Sequence, residues 1–251
     1  MKQSQAKKQD NAMTNKILMG LITLVLGLLF LEILIIHSKN EQQKSVSNQV
    51  QTARIMANGD LLYHDGLYMS ALQADGSYDF TENFTYVKPW LKQADLVLGD
   101  FEGTINPDYP LSGYPLFNAP QSVTAAISDA GYDVMDLAHN HILDSGLEGA
   151  FTTADAFKEV GIDPVGVYEN PVRDKAPLFI KNVNGIKVAI LSYAYGFNGL
   201  ESNLTEKEIA NHLSNLDEKR MKVEIERAEK EADVTVIMPQ MGVEYRLEPT
   251  D

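Results

Sequence analysis

The stretch Ala138-His139-Asn140-His141-Ile142-Leu143-Asp144 concentrates two imidazoles, an amide and a carboxylate directly after the mainly apolar run Tyr132 to Leu137. A buried strand that ends abruptly in Asn-His presents ligands well, because the strand is rigid and its carboxyl end opens onto a cleft. Two earlier runs end in the same way. Arg54–Asn58 passes into Gly59-Asp60, and Asp95–Leu98 passes into Gly99-Asp100-Phe101-Glu102-Gly103. Oxygen and imidazole donors at three strand ends argue together for a bound cation, which none of them would do alone. The chain has no cysteine, so any metal must be held by carboxylate, amide and imidazole. That donor set points to Mn, Mg, Fe or Zn and excludes a thiolate zinc knuckle.

Each residue also has a plainer reading. Asp60 could be a turn aspartate, and Glu102 could cap a loop. His64 could be a surface or core histidine. Asp144 could cap the following helix or orient His141. Asp100 sits where it could support the ligands without touching the ion. His139 points away from Asn140 if the strand continues through both, which makes one of them structural. His37 and His212 read as solvated.

Short apolar runs alternating with helical patterns must position these donors. Strands are expected near 54–58, 95–99, 132–138, 163–167, 177–183, 186–193 and 233–239. Helices are expected near 82–93, 120–130, 146–160 and 217–231. The Asn184-Gly185 pair between two apolar runs predicts a two-residue hairpin. Residues 196–216 read as a loop followed by a helix starting at Thr205, whose hydroxyl and Glu208 have capping-box spacing. This alternation predicts an α/β domain with a largely parallel sheet and helices on its faces.

Ahead of that domain, Ile17 to Ile36 is apolar apart from Gly20, Thr23, Gly27 and Glu32. As a helix it would be about 30 Å long, the thickness of a bilayer core. Lys2, Lys7, Lys8 and Lys16 precede it, while only Lys39 and Lys44 follow closely. That bias places a cytoplasmic tail at 1–16, a single-pass signal anchor at 17–36, and the bulk of the chain outside the cell. Residues 37–53 are polar and read as a flexible stalk. The net charge is −14 overall. Residues 1–50 hold six lysines against three acids, which leaves 15 basic and 32 acidic groups on 51–251. Such a surface repels phosphate backbones, so nucleic acid is not an expected partner. The last expected strand is followed by little further sequence, and the carboxyl terminus reads as an interruption.

Four segments in order, GDLLYHDGLY (59–68), LGDFEG (98–103), AHNHILD (138–144) and MGVEY (241–245), resemble the CapA family of bacterial capsule-synthesis proteins over residues 54–251. The resemblance implies a metallophosphoesterase-like (calcineurin-like) layered sheet domain behind the membrane helix. It also implies work with the capsule or poly-γ-glutamate machinery or with the polymer itself. By the same resemblance, Asp60, His64, Glu102, Asn140 and His141 would hold one or more divalent ions. Asn140 and His141 would be catalytic, and Asp100, His139 and Asp144 would support them. The chain departs from the family pattern at His139, usually Asn, and at Gln240-Met241-Gly242, often His-Trp-Gly. The family's later Gly-His-x-Pro-His-type segment would fall beyond Asp251, so the resemblance reads the chain as a shortened member. Three functions follow: an accessory protein of capsule production, a metal-dependent hydrolase of a phosphoester or extracellular polymer, or an inactive remnant.

Overall fold

The computed structural model describes residue 19 and residues 27–39, 50–243, 246 and 248. The chain divides into two units, 1–50 and 51–251. In the first, residues 27–39 are helical (α1) and exposed. The expected cytoplasmic tail 1–16, residues 17, 18 and 20–26 of the expected anchor and 40–49 of the expected stalk lie outside the described residues. Among those described, no helix is long and apolar enough to cross a membrane. Residues 37–39 belong to α1, so the helix extends into the segment read as stalk.

The second unit holds two sheets. Strands β1 (Ile55–Asp60), β2 (Leu96–Asp100), β3 (Val134–Asp136) and β4 (Asp163–Val165) lie side by side in that order, all parallel. Strands β5 (Ile180–Val183) and β6 (Ile186–Ala194) form an antiparallel hairpin, and β7 (Val234–Gln240) adds parallel to β6. The hairpin turns at Asn184 (φ 54) and Gly185 (φ 89), the two left-handed positions that an Asn-Gly turn supplies at low steric cost. The expectation of one largely parallel sheet therefore becomes a parallel sheet plus a mixed one.

Side-chain alternation joins the layers. Leu96 and Leu98 of β2, Val134 of β3 and Val165 of β4 pack with Val183, Val188 and Ile190 of the hairpin in one buried cluster. The intervening residues Val97 and Met135 face a larger cluster with Ala126 and Ile127 of α4 (Val123–Ala130) and Ala150, Ala154 and Phe157 of α5 (Gly146–Glu159). On the far side, Ala189, Leu191 and Tyr193 of β6 pack against Ala228 of α7 (Glu218–Glu231). Successive side chains point to opposite faces of a strand, so a single strand serves two cores.

The remaining helices are short. α2 (Asp65–Ala71), which the sequence reading does not anticipate, follows His64 directly and buries Tyr68 and Ala71. The helix expected over 82–93 is broken into a 3-10 turn, Thr81–Phe84, and α3 (Lys88–Leu91). Pro89 explains the break: it lacks the N–H that would reach Thr85 and its ring clashes with that carbonyl, so it fits the first turn of α3 but cannot continue a helix from upstream. α6 (Glu206–His212) carries the complete capping box from Thr205 to Glu208. His212 is not solvated. Its Nδ1 lies 2.6 Å from the Tyr168 carbonyl, and its ring packs edge-on to Phe151.

Leu98 is fully buried between the sheets, and its truncation leaves a cavity that rigid strands cannot close. Leu98→Ala should cost about 2–5 kcal/mol in urea unfolding. Val223→Ala on the exposed face of α7 should change stability by less than about 0.5 kcal/mol.

Candidate metal centre

The parallel register sets three carboxylates in one row. Asp60 at the end of β1 pairs with Asp100 at the end of β2, and Asp100 pairs with Asp136 at the end of β3. Asp100 and Asp136 follow Leu98 and Val134 by two residues, so they continue the face that meets the second sheet. Asp136 is buried and accepts from the Ser192 hydroxyl of β6 and from the Ala138 N–H (2.8 Å). Glu102, also buried, joins the row beside exposed Asp60, whose carboxyl helps raise the Glu102 pKa.

Burial, more than mutual repulsion, sets the electrostatics. It pushes Asp100 up to about 9, with the charges of Asp136, Asp60 and Glu102 adding to the shift. Burial, the Asp60 hydrogen bond and the Asp60 charge raise Glu102 to about 7, against the pull of His141. Asp136 rises to about 7 by burial, opposed by its bonds to Ser192 and Ala138. No lysine or arginine enters any of these balances.

His141 stands at the edge of the row. Its Nε2 lies 3.9 Å from Glu102 Oε1, too long for a hydrogen bond. On its other side, Nδ1 lies 2.7 Å from Asp144 Oδ2, which also accepts the Phe117 N–H at 2.6 Å. Asp144 thus contacts His141, while the cap position of α5 falls to Ser145, which makes no side-chain cap. The Phe117 ring packs edge-on to His141 (4.7 Å between centroids) and to His64 (4.8 Å). His64, half exposed, is therefore set against Phe117, one ring away from the acid row.

Asn140 is buried in an amide cluster. Its N–H donates to Gln240 Oε1 (2.6 Å), its Oδ1 accepts from Gln240 Nε2 (3.0 Å), and its Nδ2 donates to Asn198 Oδ1 (3.1 Å). His139 is fully buried with both ring nitrogens outside hydrogen-bond reach of a partner. Burial and neighbouring His141 lower its pKa to about 3, opposed by the Phe101 backbone, so it is a neutral core imidazole. Asp136, Ser192 and Asn198 escaped the sequence reading. Asp136 carried a signal, since it interrupts an apolar run two residues after Val134, on the same strand face. The other two come from the second sheet and the loop after it, and only tertiary contact reveals them.

Among the described residues, no three His, Asp or Glu side chains are already closed around a point as a cation cage. The donor chemistry nevertheless fits a hard divalent ion. Four carboxylates gather, among the described residues, with no lysine or arginine to neutralise them, and buried Asp100 Oδ1 and Asp144 Oδ1 have no hydrogen-bond partner. The 3.9 Å between Glu102 and His141 is a separation that two ligands, each about 2.1 Å from one ion, can span. Asp60, Asp100, Glu102, Asn140 and His141 are the residues that would hold it.

The family model for bacterial capsule synthesis protein PGA_cap matches residues 54–251. Two curated relatives fall in the same group. The capsule biosynthesis protein CapA of Bacillus anthracis is 32% identical over 66% of this chain and 42% of its own length. The PGA biosynthesis protein CapA of Bacillus subtilis (strain 168) is 25% identical over 97% of this chain and 63% of its own. The chain thus spans between two fifths and two thirds of these relatives. A solved Staphylococcus aureus chain described as a 5′-nucleotidase, in complex with alpha-ketoglutarate, superposes with a TM-score of 0.49 at 15% identity. It covers 78% of this chain and 39% of that one, too distant a likeness to carry an argument.

The raised carboxyl values make metal-free stability pH-dependent. A carboxyl whose pKa is higher folded than unfolded stabilises fully below its unfolded value, and that contribution is lost as pH rises through the folded one. Asp100, Glu102 and Asp136 all have this sign, with folded values of about 9, 7 and 7. The melting temperature of the chelator-treated chain should therefore fall as pH rises from about 5 to about 9, and a saturating divalent cation should remove most of that slope. A flat or rising profile would contradict this electrostatic account.

Proposed function

The chain belongs to the bacterial capsule synthesis protein family PGA_cap, and from that membership we propose that it is a membrane-anchored accessory protein of capsule or poly-γ-glutamate production. In this reading, 54–251 form a metallophosphoesterase-like domain outside the cell, tethered by the apolar segment 17–36. The lysine-rich tail before that segment supports the orientation. The two-sheet arrangement, with acids at the carboxyl ends of parallel strands, supports the domain assignment.

One observation carries the chemistry: the row Asp60, Asp100 and Asp136 with Glu102 and His141 beside it, and no lysine or arginine among the described neighbours that set their charge. Residues 51–251 carry 15 basic and 32 acidic groups, a net negative charge that disfavours a polyanion, and a divalent cation at the acid row would offset it locally. That same point is where a phosphoester or a polycarboxylate would be held. When bound, the cation supplies Lewis acidity and a water acidified enough to act as a nucleophile near neutral pH.

The chain's own residues do the rest. Asp144 fixes the His141 ring through Nδ1, leaving Nε2 on the side of Glu102. The Phe117 ring packs at right angles to the His141 ring and limits its movement. A metal-dependent hydrolase acting on a phosphoester or on the exported polymer is the second reading, supported by the same cluster.

The purified chain should hold on the order of one equivalent of a divalent ion. His141→Ala should lower that content while leaving the circular dichroism spectrum unchanged. Deleting the gene should strip most of the surface polymer, and the wild-type chain should restore it. Normal polymer after deletion would remove the accessory reading, and less than about a tenth of an equivalent of metal would remove the hydrolase reading.

A further inference from the structure

Five polar side chains from three distant segments meet end to end around Asn140, and the direction of the first three hydrogen bonds is determinate. Amide oxygens and nitrogens are ordinarily interchangeable in a network of this kind. Here the first link is a backbone N–H, which can only donate. The Asn140 N–H therefore requires an oxygen from Gln240, and Oε1 lies 2.6 Å away. That choice turns Gln240 Nε2 toward the Asn140 side chain, which must answer with Oδ1, at 3.0 Å. Asn140 Nδ2 is then left to donate to Asn198 Oδ1, at 3.1 Å. The remaining Asn198 nitrogen lies 3.4 Å from both nitrogens of the His141 ring. At the far end, His141 Nδ1 lies 2.7 Å from the Asp144 carboxylate, which can only accept from a protonated Nδ1.

We propose that Gln240 and Asn198 are positioning residues for the candidate metal ligands Asn140 and His141, with Gln240 setting the direction of the whole chain. The proposal deepens the metal-centre reading above and rests on it. Gln240 is the last residue of β7, at the edge of the second sheet, whereas Asn140 follows β3 in the first. Gln240 thus carries the placement of one sheet to the ligands borne by the other. Asn198 does the same from the loop after β6. It adopts a left-handed backbone (φ 54), which asparagine tolerates better than most residues. With this polarity, Asn140 Oδ1 uses one lone pair on Gln240 and retains the second as an oxygen donor. A reversed chain would offer an N–H there, and an N–H cannot bind a cation. Groups that orient ligands in this manner commonly govern metal affinity by 10- to 100-fold, as an order of magnitude.

The test is a manganese titration of the full chain, followed by electron paramagnetic resonance of the free ion, with thermal unfolding measured in parallel. Gln240→Met keeps length and loses both bonds; it should weaken Mn2+ binding about 10-fold or more with the melting temperature nearly unchanged. Gln240→Glu can accept the Asn140 N–H but cannot donate to Oδ1, so it should also weaken binding despite its added negative charge. Asn198→Gly, which suits the left-handed backbone, tests the chain from another segment and should show the same loss, which keeps the test decisive if a Gln240 variant fails to fold. Wild-type affinity in Gln240→Met or Asn198→Gly, or tighter binding in Gln240→Glu, would overturn the proposal while leaving the metal centre standing. Absence of Mn2+ binding by the wild-type chain would overturn the metal-centre reading and this proposal with it.

Discussion

Like charges held in register are the constraint from which the rest of this domain follows. Parallel pairing of β1, β2 and β3 brings Asp60, Asp100 and Asp136 side by side at the strand ends. The buried neighbours Leu98 and Val134, two residues earlier on the same face, hold Asp100 and Asp136 in register, because a one-residue slip would exchange core and solvent faces, and Asp60 reaches the row through an irregularity between Ala57 and Asp60. The carboxylates cannot separate without unpacking the sheet. Their repulsion is relieved by taking up protons or by accepting a cation, and burial decides how strongly. A site of this kind keeps its affinity because the fold, not the ligands, bears the cost of assembling it.

The same alternation explains why the acids meet hydroxyl and amide partners and no basic ones. Along β6, Val188 and Ile190 fill the space between the sheets, and Ser192 is the next residue on that face, reaching Asp136. The sandwich is apolar in its middle and polar at one end. The transition occurs on all contributing strands at the same level, which is the end where the loops carrying Asn140, His141 and Asn198 emerge. Apolar packing in the middle fixes the spacing of the sheets, and that spacing fixes the distance between Asp136 and Ser192. Stability and site geometry are thus two consequences of one packing arrangement.

Several groups around the site serve two neighbours at once. Asp144 accepts from both His141 and the Phe117 backbone, so the loop that brings Phe117 over the imidazole is held by the carboxylate that orients it. Gln240 clasps both the backbone and the side chain of Asn140. Shared partners of this kind couple the positions of separate loops, and a shift in one is felt by the next. The two sheets therefore act on the candidate ligands together, although only the first carries the carboxylates.

Much of this was legible in the residues themselves. The Asn184-Gly185 hairpin, the Thr205 capping box, α5, α7 and the strands leading to Asp60, Glu102 and Asn140-His141 all rest on local rules: turn chemistry, capping geometry and hydrophobic period. Locality also exposed the limits of the reading. Pro89 divided the helix expected over 82–93, and His212 found a carbonyl and an aromatic ring where solvent was expected. Asp136 passed as one acid in an apolar run, and its meaning depended on which strand lay beside it. Ser192, Asn198 and Gln240 lie more than fifty residues from their partners, and nothing in the intervening sequence specifies that separation in space. The sequence by itself determined which donors exist and that strand ends would carry them, because alternation and turn propensity are properties of neighbours along the chain. Tertiary structure alone decided which donors face one another and in which hydrogen-bonding direction, because register between strands and spacing between sheets are set by packing across the core.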